Sequence, residues 1–394
     1  MTTTINNEHK KLNVPNLRFP EFQEKWINCT IGEIGTIKNG PFGSVLHAED
    51  YVDEGMPIVT TEHFKSGCLP LSKDGIPQVS EDDYKRLRGY KLEKDDIVFS
   101  RVGSVDINAH VGALQEGWLF SGRVLRVRPV KTINAECLHY VLSTELVKRN
   151  IRNRAVGQTM PSINTPILAN TKISLPQSIV EQKKIARLLS LLDERIATQN
   201  KIIEDLKKLK SAISKKLLCN DKWTTYKIQD IAEIGRGRVI SSVEIDRQKH
   251  PLYPVYSSQT SNDGIMGYLD NYMFDGEYIT WTTDGANAGT VFYRKGKFNC
   301  TNVCGTLKIQ PKFDCYFVSL VLQQATQKYV SSNLANPKLM NNTMASIKVR
   351  MPNIETQKQL SKVFQTLDSC LLVHQRTCKM YLSEKQYLLR QMLI

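Results

Sequence analysis

Long apolar runs are missing from this chain. Nowhere in its 394 residues is there a stretch of about 20 apolar side chains able to cross a bilayer. Residues 1–13, MTTTINNEHKKLN, have no apolar core of the kind an export signal needs, so a soluble, cytoplasmic protein without a membrane partner is expected. Paired cysteines are missing too. Cys29, Cys68, Cys137, Cys219, Cys300, Cys304, Cys315, Cys370 and Cys378 are odd in number and lack the spacing of a secreted disulfide scaffold. Cys300 and Cys304 are near neighbours, but no second pair or histidine spacing completes four ligands. Reduced structural thiols and no metal are expected.

Catalytic signatures are absent as well. There is no Gly-rich phosphate loop, no helicase carboxylate pair and no FxGxG segment to cradle S-adenosylmethionine. Residues 336–340, NPKLM, depart from the methyltransferase pattern Asn-Pro-Pro-aromatic, because Lys338 stands where the second proline belongs. The strand expected at residues 278–281 supplies no lysine for a nuclease core. These gaps point to a chain that binds without doing chemistry and that holds no cofactor. Acids are also in the minority. Asp and Glu number 39 against 53 Lys and Arg, leaving a net charge of +14 and a pI near 9.2, the balance of a polyanion binder. Ribosomal and membrane-surface proteins share that balance.

What the chain does have is a second copy of itself. Residues 26–40, WINCTIGEIGTIKNG, return as residues 223–237, WTTYKIQDIAEIGRG, with Ile31, Ile34, Ile37 and Gly40 falling on Ile228, Ile231, Ile234 and Gly237. Residues 172–193 return as residues 347–368, each copy ending in Asp. Each half is thus a globular block followed by a long helix, with boundaries at 1–175, 176–220, 221–351 and 352–394. The length independently suits two cores. A duplicated chain has approximate two-fold symmetry, which suits a two-fold target such as duplex DNA.

The first helix is expected over residues 178–218. Ser178 and Glu181, just after Pro176, have the spacing of a capping box. Apolar positions then alternate in steps of four and three through Ile185, Leu189, Leu192, Ile196, Ile203, Leu206, Ile213 and Leu217, with Gln199 and Lys210 in the gaps. The second helix repeats this seam as Leu360, Phe364, Leu367, Leu371, His374, Cys378, Tyr381, Lys385, Leu388 and Met392. Two seams in one chain should pack together as an antiparallel coiled coil, with the blocks at opposite ends. Gln199 and His374 are read as fixing its register, and His374 as having no catalytic role. The seam residues from Ile185 to Leu206 and from Leu360 to His374 are the expected docking elements. The many Lys and Arg of the first helix form a solvated face or a path for phosphates.

The blocks read as mixed α and β, an α+β class of two pseudo-symmetric domains. Regular βαβ alternation is missing, which excludes a doubly wound sheet. A strand is expected at residues 97–99, a turn at Gly103 matched by Gly285, and a helix at residues 137–149. Side chains able to reach base edges lie in the turns. In the first block they are Lys38, Asn39, Arg101, Ser104, Asn108 and Gln158. In the second they are Arg236, Arg238, Ser257, Ser258, Gln259, Thr282, Thr283, Asn287, Lys338 and Asn341. Arg and Lys pair with guanine edges, Asn and Gln with adenine. Loops are rich in such groups in any protein, so the set carries more weight than its members. Between the repeated elements the blocks diverge, which implies one docking mode and two sequences read.

Several of these segments together resemble the specificity subunit of type I restriction-modification enzymes. They are VPNLRFPEF at residues 14–22, Leu175, Pro176, Glu181, Gln182 and Ile185, the echo at Met351, Pro352, Glu355 and Gln357, and NPKLMN at residues 336–341. The resemblance runs from about Val14 to Ile394. It implies two target recognition domains, each reading one half of a bipartite site in double-stranded DNA. The helices would set the spacing and dock two methyltransferase subunits, which would carry S-adenosylmethionine and methylate adenine. Motor-endonuclease subunits would join for cleavage. The second repeat departs from the pattern by one residue fewer after its proline, which bears on where its helix starts. The rival from another class is a coiled-coil protein-interaction scaffold with no DNA sequence preference.

Overall fold

The computed structural model describes residues 14–41, 46–218, 220–331 and 336–394. The expectations for residues 1–13 and for Cys219 lie outside them. Among the described residues no helix is long and apolar enough to cross a membrane. The chain forms two compact units, Met1–Gln199 with Thr377–Ile394, and Asn200–Arg376. Each unit therefore combines one globular block, the first half of the helix that follows it and the second half of the other helix.

In the first unit four strands stand in the order Gly35–Asn39, Val124–Pro129, Ile97–Ser100 and Asn108–His110, each antiparallel to its neighbour. Ile97–Ser100 is buried on both faces, and its side chains alternate between two cores. Ile97 and Phe99 join Leu138 and Val141 of helix Ala135–Leu142, while Val98 joins Phe64 and Phe120. A smaller sheet places Met56–Val59 parallel to Leu119–Phe120, and Ile27–Thr30 pairs with Lys172–Leu175.

The second unit repeats this topology. Its large sheet runs Ala232–Arg236, Cys304–Ile309, Glu277–Thr282 and Val291–Lys295, again antiparallel throughout. Its smaller sheet keeps one parallel pairing, Tyr253–Tyr256 with Asn299–Cys300, and Thr224–Lys227 pairs with Lys348–Met351. Gly103 and Gly285 follow equivalent strands, and both are left-handed, at φ +81° and +96°.

The two long helices, Ile179–Leu217 and Ile354–Met392, have 39 residues each and start at matching places in the repeat, so the residue missing after Pro352 is absorbed before the second helix begins. One glutamine anchors each start. Gln182 Oε1 accepts from Asn134 N at 2.7 Å and its Nε2 donates to Pro176 O at 2.8 Å. Gln357 does the same with Asp314 N at 2.9 Å and Pro352 O at 2.8 Å. The capping box expected from Ser178 and Glu181 takes another form. The Glu181 carboxylate closes on Arg18 at 2.7 and 2.8 Å and on the Trp26 indole at 3.3 Å, because an ion pair outcompetes a terminal amide for a buried carboxylate.

The helix expected over residues 137–149 is two helices, Ala135–Leu142 and Glu145–Arg154. Ser143 Oγ turns back to His139 O at 2.8 Å and Thr144 is extended, so these two side chains favour local bonding over helix continuation. Within the first unit the long helices run antiparallel. Lys385 meets Asp193 at 2.5 Å, and Arg195 lies 5.7 Å from the Tyr381 ring centroid. In the second unit Lys210 pairs with Asp368. The expected seam is where burial concentrates, at Ile185, Leu189, Leu192, Phe364, Leu371, Cys378 and Met392, with Leu217 leaving it at 37 % exposure.

Candidate nucleic-acid interface

The repeated glycine at the end of the first sheet strand starts the site. A Cβ on Gly40 would stand 1.9 Å from Ser121 O, and one on Gly237 would stand 2.1 Å from Cys300 O. Only glycine lets the strand pass the neighbouring backbone so closely. In the second unit that passage brings Arg236 beside the turn that follows the central strand, where it meets Thr283 and Asp284, while in the first unit Lys38 and Asn39 stand at the strand end itself.

A later segment is stitched to the same turn in both units. Gly103 N donates to Pro161 O at 2.8 Å, and Ile163 N to Arg101 O at 2.9 Å. In the second unit Gly285 N donates to Pro337 O at 3.0 Å, and Leu339 N to Thr283 O at 2.8 Å. The Trp281 indole adds a bond to Leu339 O at 2.9 Å. This explains NPKLM without methyltransferase chemistry: Pro337 and Leu339 present backbone to the turn, and Lys338 stands between them where the first unit has Ser162.

The second unit gathers the denser charge. Arg236 donates to Asn302 O at 2.6 Å and Thr283 Oγ1 at 2.9 Å and lies 3.3 Å from Asp284, while Lys338 Nζ is 3.6 Å from the same carboxylate. Asn341 donates to Gly235 O at 3.4 Å, and Asn287 to Ser258 O at 3.2 Å. Gln259 bonds Ile265 O, Ser257 is half-buried, and Arg238 is tied to Glu244. That bond to Glu244 raises the Arg238 pKa and lowers that of the carboxyl.

In the first unit Lys38 donates to Gly89 O at 2.7 Å and lies 4.8 Å from the Tyr90 ring centroid. Asn39 Oδ1 accepts from Thr165 Oγ1 at 3.3 Å, Arg101 reaches Gly122 O at 3.1 Å, and Ser104 and Gln158 are exposed.

Three expected base readers are interior residues instead. Asn108 is 2 % exposed and bonds His139 at 2.7 Å and Ser143 at 3.2 Å, because strand alternation turns it toward helix Ala135–Leu142. Thr282 and Thr283 are buried as well, Thr283 donating to Asp284 at 2.8 Å. Asp284 carries no signal in the sequence, because a polyanion interface calls for bases rather than acids, yet its carboxylate holds Arg236 and Lys338. Among the described residues, buried polar atoms without a partner recur along this edge, at Ser121 Oγ in one unit and at Thr282 Oγ1, Thr301 Oγ1 and Asn341 Oδ1 in the other.

Comparison with known proteins agrees with this duplicated arrangement. A family model described as type I restriction modification DNA specificity domain matches twice, over residues 23–208 and 220–379. A putative type I specificity subunit of Mycoplasma pneumoniae is 40% identical over 185 residues, 46% of this chain and 77% of that protein. A second from the same organism is 38% identical over 204 residues, 50% of this chain and 81% of that protein. The crystal structure of a type I restriction-modification system S subunit from M. genitalium superposes with a TM-score of 0.71 at 17% identity, covering 97% of this chain and 99% of the other. This chain belongs to the type I restriction modification DNA specificity family, whose domain it carries twice, and its function is DNA target recognition.

Proposed function

We propose that each unit reads one half of a bipartite duplex site, and that the long helices hold the halves at a set spacing. One observation carries this reading. The glycine-limited strand end, the left-handed turn and the proline segment recur in both units, while the side chains they present differ: Lys38, Asn39, Arg101 and Ser162 against Arg236, Asp284 and Lys338. One frame with two side-chain sets docks in one way on two different sequences. Two methyltransferase subunits would dock on the helices, bring S-adenosylmethionine and methylate adenine, and motor-endonuclease subunits would complete a cleaving assembly. The chain itself would supply recognition only.

Replacing residues 223–351 with the matching block of a relative tests this. In the assembled methyltransferase, the swap should change one half of the recovered site and leave the other intact. Changes in both halves would show that the units do not read separately. A protein-binding scaffold would give no sequence preference before or after the swap.

A further inference from the structure

Two seam positions that interrupt the apolar pattern have carboxylate partners on the facing helix. In the first unit Lys385 meets Asp193, which also accepts from the Tyr140 hydroxyl at 2.8 Å. In the second unit Lys210 meets Asp368, which also accepts from Tyr316. Lys385 and Lys210 are only 22 % and 25 % exposed, so each depends on its partner more than a surface lysine would.

The tyrosines are not copies of one another. Counted from the helix caps Asn134 and Asp314, Tyr140 is the sixth residue and Tyr316 the second, about one turn apart. The two units therefore bring a hydroxyl to the same carboxylate from different places. A contact rebuilt from non-equivalent residues is more than a remnant of duplication.

Both clasps also demand the same alignment. From Asp193 to Lys210 is seventeen residues along one helix, and from Lys385 back to Asp368 is seventeen along the other. Apolar seams with heptad spacing still match after a slip of seven residues, so the seam alone does not choose between registers. The clasps add that choice to the anchorage that Met392 and Leu393 give the second helix in the core of the first unit. After such a slip Lys385 would face Ala186 or Asn200, and Lys210 would face Ser361 or Gln375, none of them acidic. We infer that Lys210–Asp368 and Lys385–Asp193 lock the register of the helix pair and so make these four residues determinants of half-site spacing. The spacing part of this inference rests on the function proposed above.

A double variant, Lys210→Met with Lys385→Met, assembled with its methyltransferase subunits, would be offered a pool of random duplexes. A slip of seven residues is about 10 Å, or roughly three base pairs. The variant should recover the same half-sites with spacers spread by about that amount, and Lys→Arg at both positions should keep the single spacer. A variant with lowered thermal stability and an unchanged single spacer would overturn the lock, since a merely structural role weakens binding to every spacer alike. A second readout needs no DNA. Spin labels on the two helix segments of the first unit should give one distance in the natural protein and a second population about 10 Å away in the variant. Labels that shift while the natural assembly selects no bipartite duplex would sink the DNA reading and leave the register lock standing.

Discussion

At the centre of the large sheets the two units fill the same space with different residues. Phe99 faces Leu125 across strands in the first, and Trp281 faces Gly305 in the second. A Cβ on Gly305 would lie 2.2 Å from the Trp281 ring, so the large side chain is admitted by the small one. At the start of the long helices the first unit buries an ion pair, Arg18 with Glu181, while the second has Thr356 at the place of Glu181. Where backbones approach closely the units agree, as at Gly40 and Gly237 or Gln182 and Gln357. Where only volume or charge must balance, they have drifted in compensating pairs. Duplication has preserved the constraints and released the residues.

The largest break should come from exporting half of such a pair. Arg18→Met leaves the Glu181 carboxylate, 1 % exposed, without its cation and should cost the first unit about 3–5 kcal/mol. Adding Glu181→Thr, the choice of the second unit, should recover most of it. Urea unfolding of the first unit followed by hydrogen exchange measures both, and a double variant no more stable than the single one would refute the equivalence.

Next in size, Gly305→Leu should destabilise the second unit by about 1–3 kcal/mol through overpacking against Trp281. Trp281→Phe in the same chain recreates the pair of the first unit and should relieve the overpacking, recovering stability short of what the lost indole bond to Leu339 O contributed. Thermal melts of the single and double variants decide the matter.

Acid should separate the units further. Burial lowers the His139 pKa from 6.5 to about 3, and its counterpart, counted from the helix caps, is Ser319. The unfolded chain then binds a proton that the folded one does not. Stability is complete above about pH 6.5 and falls as pH drops toward 3, by up to about 1.4 kcal/mol per pH unit. The first unit should unfold at a higher pH than His139→Ser predicts for the same unit, as intrinsic fluorescence along an acid titration would show.

The smallest effect is expected from Lys338→Ala. If Lys338 meets a phosphate, the salt slope of binding should fall by about one, with all sequences weakened alike. A base-edge contact would instead relax one position. Unchanged affinity and slope would remove Lys338 from the interface.

Periodicity over many turns made the coiled-coil seam legible, since polar interruptions at Gln199 and Lys210 hardly disturb a pattern about forty residues long. The repeated Gly40 and Gly237 were equally plain as letters. Their cause, a carbonyl in the connection between two strands some eighty residues away in the first unit, was not. Asn108 illustrates the opposite failure. A strand of three residues, Asn108–His110, is too short for alternation to show which side faces inward. Lys210 and Lys385 looked like blemishes in the seam because the acids that complete them lie on the other helix. Long-range partners leave no local trace, and the Arg18 to Glu181 pair was hidden for the same reason.

The first unit borrows its last layer from the far end of the sequence. Met392 and Leu393 sit in the core with Trp26 and Ile185, and Leu17 N donates to Gln391 O at 2.9 Å. On the ribosome, then, this unit cannot be finished in the order it is made. Its strands and the start of its long helix emerge early and must wait, with apolar surface uncovered, until nearly all the rest has been translated. Such distant closure slows folding and leaves time for wrong partners. A nascent chain of this design has a use for chaperones that a protein with two self-sufficient halves would not.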